Sequence, residues 1–232
     1  MTCQEDHVGN SRPIHVLLVE DHSAFRQALA LTFSLEPDFC VIGQARTIAE
    51  AQRLITQDVS IDVAVLDLDL PDGPGVDLVR FLHDVHPAAE PLILTASSGR
   101  RVLVAAVEAG AAGVLHKSCD IEEIVQAVRR LAAGGWLVSP AELATLLHEA
   151  RSGPGKQRSR SILKGLTPRE RDVLALLGEG LSDKEIGVRL LIGKDTVHTH
   201  MVNLLGKLGA ESRLQALIIA IRHDLITIAR DR

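Results

Sequence analysis

An aspartate follows a continuous apolar run in the first half of the chain, where Val63–Leu66 leads directly into Asp67. Such a run is typical of a parallel strand that is buried on both faces. The first apolar run, His15–Val19, likewise ends in carboxylates, those of Glu20 and Asp21. Because ligands of open α/β sheets bind at the carboxyl ends of the strands, we expect these three acids to form a site.

A hydroxyl and an ammonium group reach the same sheet edge at the ends of two further apolar runs, at Thr95 and Lys117. Three clustered carboxylates repel one another, and a hard divalent cation such as Mg2+, which prefers oxygen ligands, relieves that repulsion. With the cation and Lys117 neutralising incoming negative charge, Asp67 can act as a nucleophile toward a phosphoryl group. The predicted chemistry is therefore phosphoryl transfer to an aspartate.

The elements that position these groups follow from the alternation of apolar runs and amphipathic segments, which indicates a parallel sheet with helices on both faces. The predicted strands are His15–Val19, Cys40–Ala45, Val63–Asp67, Leu92–Thr95 and Val114–Leu115. The predicted helices are Ser23–Leu35, Ile48–Gln57, Val76–His86, Arg100–Ala109 and Ile121–Ala133. These five units predict a doubly wound α/β domain with a five-stranded parallel sheet.

The length and composition of the chain limit its class. Its 232 residues suit two compact domains of roughly 100–200 residues each. No apolar run reaches the roughly 18 residues that a membrane span needs, and the N-terminus lacks the apolar core of a signal peptide. We therefore expect a cytoplasmic protein without a membrane partner, in which Cys3, Cys40 and Cys119 stay reduced.

Charge is divided unevenly along the chain. Residues 1–135 contain 10 Lys and Arg against 19 Asp and Glu, a net charge of −9, whereas residues 136–232 contain 15 against 11, a net charge of +4. This division suggests a regulatory domain joined to an anion-binding domain. A stretch rich in Gly, Pro and Ser carries the basic residues Arg151, Lys156, Arg158, Arg160 and Lys164. It is predicted to be a tether, either simply solvated or in contact with DNA phosphates.

The last 67 residues change to a helical period. Thr167 and Ser182 are each followed three residues later by glutamate, which predicts two capping boxes, and Ser212 with Gln215 predicts the start of a fourth helix. The predicted helices are Pro168–Leu177, Asp183–Leu191, Lys194–Leu208 and one that runs from about Arg213 to His223. Four short helices with tight turns fit a small DNA-reading bundle better than a catalytic domain.

The third of these helices has two distinct faces. Its apolar spacing predicts a core-facing stripe of Val197, Met201, Leu204, Leu205 and Leu208. The opposite face includes Asp195, Thr199, Val202 and Gly206, and His198 and Asn203 flank it. This second face could enter a DNA major groove.

Four segments of the first half resemble the receiver domain of two-component response regulators. They are VEDH at 19–22, LDLDLPDGPG at 66–75, LTAS at 94–97 and HK at 116–117. The resemblance implies a flavodoxin-like receiver fold over residues 12–135. It also identifies Asp67 as the phosphoacceptor, because Pro71 stands four residues after it.

The resemblance further implies a role for each residue at the sheet edge. Mg2+ would be held by Glu20, Asp21, Asp67 and the backbone carbonyl of Asp69. Thr95 would sense the phosphoryl group on Asp67, and Lys117 would pair with it. A sensor histidine kinase or a small phosphodonor would supply that group.

Residues 166–232 resemble the LuxR-type helix-turn-helix domain over nearly all of 166–226, so the whole chain resembles a response regulator of the NarL/FixJ type. Residues 136–165 would then form a linker with a short helix and the basic tether. The resemblance makes Asp183–Leu191 the supporting helix and Lys194–Leu208 the recognition helix. Base edges would be read by His198, Thr199 and Val202, and phosphates contacted by Lys184, Lys194, Thr196 and Lys207.

The same resemblance implies how the two domains communicate. The unmodified receiver would cover the recognition helix, and phosphorylation would release it to bind promoter DNA as a homodimer. The last helix carries an apolar stripe of Leu214, Leu217, Ile218 and Ile221. This stripe would pair two subunits, although it is equally consistent with packing inside one chain.

Three residues depart from the family pattern. His198 stands where lysine is usual, so DNA affinity should be lower and more sensitive to pH, unless the imidazole makes a different contact. Gly193 replaces the usual serine or threonine cap of the recognition helix, at a cost of a few tenths of a kcal/mol. Val114 falls where many receivers carry an aromatic switch residue. Without a ring that moves together with Thr95, that form of coupling is in question.

Two alternatives to a phosphorylation-switched transcriptional regulator stay open. The chain could use its receiver only as a protein-interaction module, without phosphorylation. Alternatively, Asp67 and Asp69 resemble the nucleophile and general acid of haloacid-dehalogenase-type phosphatases. That motif normally lies on the first strand and would leave Glu20 and Asp21 unexplained, so the chain is expected to be a regulator and not an enzyme.

Overall fold

A computed structural model describes residues 12–97, 105–137, 165–223 and 225–226 of the protein. The first two ranges contain an α/β domain, and the last two contain a helical domain. The predicted linking helix at 140–150, the basic tether and the start of the predicted helix at 100–109 lie outside the described residues. Residues 105–108 are helical, in agreement with that last prediction.

The strands of the α/β domain agree with the predicted ones to within two residues at each end. In chain order they are β1 (Ile14–Val19), β2 (Phe39–Ala45), β3 (Val63–Asp67), β4 (Asp69–Leu70), β5 (Gly73–Pro74), β6 (Glu90–Thr95) and β7 (Gly113–His116). Five of them form a parallel sheet in the order β2-β1-β3-β6-β7. Strands β4 and β5 form a small antiparallel ribbon just after β3, which the sequence did not predict.

The described helices also follow the prediction closely. In the α/β domain they are α1 (Ser23–Leu35), α2 (Ile48–Ile55), α3 (Val76–Val85) and α4 (Ile121–Ala132). In the helical domain they are α5 (Pro168–Gly178), α6 (Asp183–Leu190), α7 (Lys194–Leu208) and α8 (Arg213–Arg222). Among the residues described, no helix combines the length and the apolar character that crossing a membrane requires.

Two hydrophobic layers enclose the sheet. On one face, α2 and α3 contribute Ile55, Leu78 and Leu82 to a core with the sheet residues. On the other face, Phe33 of α1 and Ile124 of α4 do the same. The continuous apolar composition of the strands is explained by this double coverage. The fold is therefore the predicted doubly wound α/β sandwich.

Parallel register brings the ends of four strands to one edge of the sheet. Val19 pairs with Leu66, so Glu20 follows β1 beside Asp67 at the end of β3. Asp67 pairs with Leu94, and Thr95 pairs with His116, so Thr95 and Lys117 follow on the next two strands. The predicted convergence of these groups is therefore a direct consequence of the sheet register.

The helical domain has its own core, and its helix ends are capped as the sequence predicted. Val197, Met201 and Leu204 of α7 are buried in this core. Thr167 and Glu170 form a reciprocal capping box on α5, and Ser182 and Glu185 form another on α6. Each box satisfies backbone N–H groups that the first helical turn leaves without a partner.

The α/β domain contacts the helical domain mainly through α8, and this corrects the expectation that it covers the predicted recognition helix, α7. Leu214, Leu217 and Ile218 of α8 form a buried cluster with Val107 of the α/β domain. By contrast, α7 remains open to solvent along its outer face, where Thr196 and Thr199 are exposed. The stripe of α8 packs inside the chain, which is the second of the two roles considered for it.

The cysteines differ from the expectation of three reduced thiols. Cys119 is a free thiol, and burial raises its pKa. Cys40 is disulfide-bonded, so the expectation is wrong for this residue. Cys3 lies outside the described residues.

Candidate phosphoacceptor site and recognition helix

The acidic edge of the sheet contains two buried carboxylates and one exposed carboxylate. Glu20 and Asp67 are each 2% exposed, whereas Asp21 faces solvent. Glu20, Asp21 and His22 each present one potential ligand atom within 4.8 Å of the others. The backbone N–H of His22 also donates to Glu20 Oε1 over 3.1 Å. His22 therefore adds to the predicted group, and the signal for it was its position in the VEDH segment.

Lys117 joins the two buried carboxylates. Its Nζ lies 2.6 Å from Asp67 Oδ2, 3.0 Å from Glu20 Oε1 and 2.8 Å from Glu20 Oε2. The contact with Glu20 Oε2 lacks hydrogen-bond geometry, so this buried oxygen has no hydrogen-bond donor. One ammonium group thus pairs with two buried carboxylates, and with exposed Asp21 next to Glu20 the site keeps a net negative charge and a carboxylate oxygen that accepts no hydrogen bond. Both features fit a divalent cation.

Burial and pairing shift two pKa values at this site. Burial raises the pKa of Glu20, and the hydrogen bond from Lys117 offsets this only in part. For Lys117, burial alone would lower the pKa, but hydrogen bonds to Asp67 and Glu20 outweigh it, and the pKa is raised. Lys117 therefore stays cationic at neutral pH.

Thr95 ends β6 with its side chain buried next to the site. Its Oγ1 accepts a hydrogen bond of 3.0 Å from the backbone N–H of Ser97. The backbone N–H of Lys117 donates to the carbonyl of Thr95 over 2.8 Å, so the ends of β6 and β7 are tied together. A movement of Thr95 would therefore be transmitted to the segment that carries Lys117.

The turn after Asp67 is built from backbone contacts. The N–H of Asp69 donates to Asp67 Oδ1 over 3.1 Å, which orients the carboxylate. Gly75 packs so tightly on the carbonyl of Asp67 that an added Cβ would lie 1.8 Å from its oxygen. Asp72 accepts the N–H groups of Ile48 and Ala49 at the start of α2. The turn is thereby fixed to a neighbouring helix.

Arg26 is a supporting residue that the sequence reasoning missed. Its buried Nη1 donates to the carbonyl of Glu20 over 2.5 Å and to that of Asp21 over 3.3 Å. These bonds fix the backbone that carries both acids. A signal was present in the sequence, because Arg26 shares the apolar face of α1 with Leu29 and Phe33, three and seven residues later.

The outer face of α7 presents the side chains that were predicted to read DNA. Thr196 and Thr199 are exposed, and His198 and Val202 are half-buried. The Oγ1 of Thr199 donates to the carbonyl of Asp195 over 2.9 Å, which leaves its lone pairs and methyl group toward solvent. The prediction of a polar outer face opposite a buried apolar face agrees with this arrangement.

The three predicted phosphate-contacting lysines have different surroundings. Lys184 is exposed. Lys194 is also exposed, and its Nζ donates to the carbonyl of Ala132 at the end of α4 over 3.3 Å. Lys207 lies 2.7 and 2.8 Å from the two carboxylate oxygens of buried Glu170. Lys207 is therefore held by an ion pair within the helical domain.

The turn between α6 and α7 has an unusual residue. Leu191 adopts a left-handed backbone conformation with φ 56°, and its side chain is 91% exposed. Glycine or asparagine is more common in this conformation. The turn nevertheless closes, because the N–H of Ile192 donates to the carbonyl of Gly187 over 2.9 Å. Gly193 follows as the cap of α7 without a side-chain bond, as predicted.

Comparisons with known proteins match both halves of the chain. Residues 16–129 match the response regulator receiver domain, and residues 164–220 match the bacterial regulatory proteins of the luxR family. The chain is 37% identical over 207 residues to the DNA-binding transcriptional activator DevR/DosR of Mycobacterium tuberculosis, covering 89% of this chain and 94% of that protein. It is 29% identical over 211 residues to the nitrate/nitrite response regulator protein NarL of Escherichia coli, covering 91% and 96%.

A solved structure supports the fold of the first domain. The signal receiver domain of the response regulator NarL from Mycobacterium tuberculosis is 30% identical, with a TM-score of 0.51, and the match covers 53% of this chain and 99% of that one. The two family matches also occur in the order that the sequence predicted. The chain therefore belongs to the NarL/FixJ-type response regulators, DNA-binding transcriptional regulators of two-component systems that join a receiver to a LuxR-type helix-turn-helix domain.

Proposed function

We propose that Mg2+-dependent phosphorylation of Asp67 switches this regulator. The observation that carries the proposal is the convergence of buried Glu20 and Asp67 on Lys117, with Glu20 Oε2 left without a hydrogen-bond donor. Glu20 Oε2 lies 2.8 Å from Lys117 Nζ but accepts no hydrogen bond, so it keeps lone pairs with which it could bind a cation. A site that receives a cation and then a phosphoryl group needs both such a carboxylate oxygen and a cationic side chain.

The ion would be held by Glu20, Asp21, Asp67 and the backbone carbonyl of Asp69. Two of these carboxylates are buried and the third faces solvent, which leaves an open side for water and an incoming phosphoryl group. Mg2+ usually keeps several waters and binds through one or two carboxylates together with phosphate oxygens. When bound, it would withdraw charge from the phosphoryl oxygens.

Asp67 then acts as the nucleophile. One of its carboxylate oxygens forms a bond to phosphorus while the bond between phosphorus and the donor's imidazole nitrogen breaks, and the electron pair of that bond returns to the nitrogen. Lys117 is already 2.6 Å from Asp67 and can pair with the new phosphoryl oxygens. The hydroxyl of Thr95 can turn from its contact with Ser97 to donate to the same group.

The helical domain is proposed to bind double-stranded promoter DNA through α7. His198, Thr199 and Val202 would contact base edges, and Lys184, Lys194 and Thr196 would contact phosphates. Lys207 could contact a DNA phosphate only if its ion pair with Glu170 broke. We therefore expect it to contribute less to DNA affinity than Lys184 and Lys194. Two subunits would bind a twofold site as a homodimer when Asp67 is modified.

The remaining assignments follow from these roles. We propose a receiver over residues 12–135, a linker over 136–165 and a DNA-binding domain over 166–232. The phosphoryl group would come from a sensor histidine kinase, and the protein would act in the cytoplasm, where its DNA partner lies. It would act by occupancy of DNA and not by turnover of a substrate, so it would not be an enzyme.

The proposal is tested by labelling with a radioactive small phosphodonor such as acetyl phosphate. Wild type should incorporate label in the presence of Mg2+ and lose that ability with a chelator, and Asp67→Asn should not be labelled. Asp69→Asn is the matched control, because it alters a neighbouring carboxylate whose predicted contribution is its backbone carbonyl, and it should keep most of the labelling. Equal labelling of wild type and Asp67→Asn would refute Asp67 as the acceptor.

Two further measurements distinguish the two other functions considered, namely turnover of a phosphate ester and the response of DNA affinity to phosphodonor. A haloacid-dehalogenase-type phosphatase would release phosphate from a generic phosphate ester with repeated turnover. A receiver that serves only as an interaction module would not be labelled, and its DNA affinity would not respond to the phosphodonor.

The switch proposed for this receiver works without an aromatic ring at residue 114. Val114 packs against the sheet core at the position where many receivers have such a ring.

A further inference from the structure

A histidine side chain bridges the ends of two neighbouring strands at the candidate phosphoacceptor site. His116 is the last residue of β7, and it pairs in the sheet with Thr95, the last residue of β6. Its Nε2 lies 2.8 Å from the carbonyl oxygen of Ala96, the residue after Thr95. Its Nδ1 lies 2.6 Å from Oγ of Ser118, the residue after Lys117. The imidazole therefore joins the two segments that carry Thr95 and Lys117.

The hydrogen-bond partners fix the tautomer of this imidazole. A carbonyl oxygen only accepts hydrogen bonds, so Nε2 of His116 must carry the proton that it donates to Ala96. The backbone N–H of Ser118, which only donates, points at Nδ1 over 3.2 Å, so Nδ1 must be the unprotonated nitrogen. The hydroxyl of Ser118 donates to the same nitrogen. Both ring nitrogens are thus engaged, and the ring is held in one orientation.

The side chains of Thr95 and His116 lie on the same face of the sheet. Ile93 and Val114, two residues earlier on β6 and β7, both pack in the core on the α2 and α3 side. Since side chains alternate along a strand, Thr95 and His116 project to that side as well. The imidazole is therefore a direct neighbour of the threonine that was predicted to sense the phosphoryl group.

This bridge extends a backbone contact beyond the strand ends. The N–H of Lys117 donates to the carbonyl of Thr95 over 2.8 Å and ties the last residues of the ladder together. The residues that follow, Ala96 and Ser118, are exposed. An exposed segment has few packing contacts to hold it, so its hydrogen bonds largely determine where it lies. His116 supplies such bonds to both segments from a single ring.

We propose that His116 is a positioning residue for phosphoryl transfer to Asp67. Its imidazole holds together the segments that carry Thr95 and Lys117, so that a hydroxyl and an ammonium group reach the phosphoryl oxygens at the same time. His116 acts through these two residues and not on the phosphoryl group itself. The proposal rests on the proposed function, because it concerns the same reaction at the same aspartate.

The geometry of the site explains why such a bridge matters for the reaction. Lys117 already lies 2.6 Å from Asp67 Oδ2, whereas the hydroxyl of Thr95 accepts a hydrogen bond from Ser97. For transfer, the hydroxyl must turn to the phosphoryl group while the ammonium group stays beside it. A shift of about 1 Å in a positioned group is costly for the rate. The His116 bridge limits the movement that would separate Thr95 from Lys117.

The test measures how fast radioactive acetyl phosphate labels the full-length protein in the presence of Mg2+. His116→Leu keeps a side chain that suits a strand end but removes both ring nitrogens. Its maximal labelling rate should fall about tenfold, because the transition state needs both positioned groups. The acetyl phosphate concentration that gives half the maximal rate should change by less than about twofold, since His116 does not bind the donor.

Two further variants separate positioning from general damage. His116→Gln keeps an amide N–H that can donate to Ala96 and an amide oxygen that can accept from Ser118, so most of the rate should return. His15→Leu is the matched control, because Nδ1 of His15 on β1 lies 2.9 Å from Oγ of Ser60 at the amino-terminal ends of the strands. It removes a similar contact far from the site and should label like wild type. Urea unfolding compares the stabilities of all three variants.

A second measurement reads the bridge itself. Nitrogen NMR of wild type with labelled histidine, at mildly alkaline pH, should show His116 with its proton on Nε2 and with Nδ1 unprotonated. The signal is assigned by its absence from His116→Gln. A ring that carries its proton on Nδ1, or that exchanges between both tautomers, would overturn the proposal, because the bridge would then not exist in solution.

The labelling outcomes are distinct. Slow labelling of His116→Leu, restored in His116→Gln and absent as a defect in His15→Leu, would support the proposal. Labelling of His116→Leu at the wild-type rate, equal slowing in both His116 variants, or equal slowing in His15→Leu would overturn it. In each of these cases, labelling of wild type but not of Asp67→Asn would leave the proposed function intact. If wild type itself is not labelled, the proposed function fails and the positioning role fails with it.

Discussion

The candidate phosphoacceptor site and the candidate DNA-recognition surface are built in opposite ways. At the first, Glu20, Asp67 and Lys117 are held by short contacts among themselves and by the strand ends that carry them. At the second, Thr196 and Thr199 face solvent on one helix. The difference teaches that the charged side chains of the receiver site are already paired with one another before a cation or a phosphoryl group binds. The helical domain instead presents groups whose partners arrive with the DNA.

The largest effect expected from this comparison is a loss of stability when the positively charged side chain of Lys117 is removed. Lys117→Ala leaves Glu20 and Asp67 facing each other in a buried site, and unfolding free energy should fall by about 3 kcal/mol. Because the lost charge is positive, Mg2+ should restore more stability to the variant than it adds to wild type. Chemical denaturation with and without Mg2+ measures both changes.

The matched control for this variant is Lys184→Ala, which removes an exposed lysine of the recognition surface. Its unfolding free energy should stay within about 0.5 kcal/mol of wild type. If the two alanine variants were equally stable, the contrast between a preformed site and an open surface would be wrong.

A smaller effect, on DNA affinity, is expected from a substitution that adds a positive charge to the recognition surface. His198→Lys should raise DNA affinity, because lysine at a phosphate releases a counterion that a neutral imidazole does not. The pH dependence of binding between about 6 and 7.5 should weaken at the same time. Fluorescence anisotropy with a bound DNA fragment, at two salt concentrations, measures the affinity and its salt slope.

In this test His200→Lys is the matched control, since it adds the same charge two residues along the same helix. A gain in affinity for His198→Lys alone would assign position 198 to the DNA contact. No gain, or an equal gain in both variants, would mean that residue 198 does not approach the phosphates.

The smallest effect concerns a buried histidine beside the domain interface. Burial lowers the pKa of His83, although its hydrogen bond to the carbonyl of Gly110 opposes this. A folded-state pKa below that of the unfolded chain means that stability is fully present above about pH 6.5 and is lost as the pH falls through the folded value. Wild type should therefore lose more stability than His83→Gln between pH 7.5 and 5.5, as measured by urea unfolding.

The glutamine variant keeps a donor for the carbonyl of Gly110 but cannot take up a proton. Other titrating groups are common to both proteins and cancel in the difference. An equal loss of stability in the two proteins would show that the protonation of His83 is not coupled to folding.

The sequence was sufficient to predict which side chains meet at the candidate phosphoacceptor site, because their positions follow from strand register. A continuous apolar strand has a defined carboxyl end, so Asp67, Thr95 and Lys117 had to meet at one edge. The capping boxes of α5 and α6 were predictable for a similar reason, since both partners lie within four residues. Contacts of this kind depend on local spacing and on a regular sheet.

The domain interface could not be predicted in the same way. Arg213 forms side-chain hydrogen bonds with Glu90 and Asp183, which lie 123 and 30 residues away in the sequence. No local sequence pattern predicts such a pairing. The apolar stripe of α8 was visible in the sequence, but whether the receiver or another subunit covers it depends on the tertiary arrangement. The ribbon of β4 and β5 escaped prediction because each strand has only two residues.

The most direct test of the central claim is DNA binding by the full-length protein to a pool of genomic fragments, with and without acetyl phosphate and Mg2+, for wild type and Asp67→Asn. The account predicts tighter and site-selective binding by phosphorylated wild type, with no response in Asp67→Asn. Selective binding that is the same in both proteins and under both conditions would contradict it. The helix-turn-helix domain would then remain a DNA reader that the receiver does not control through Asp67.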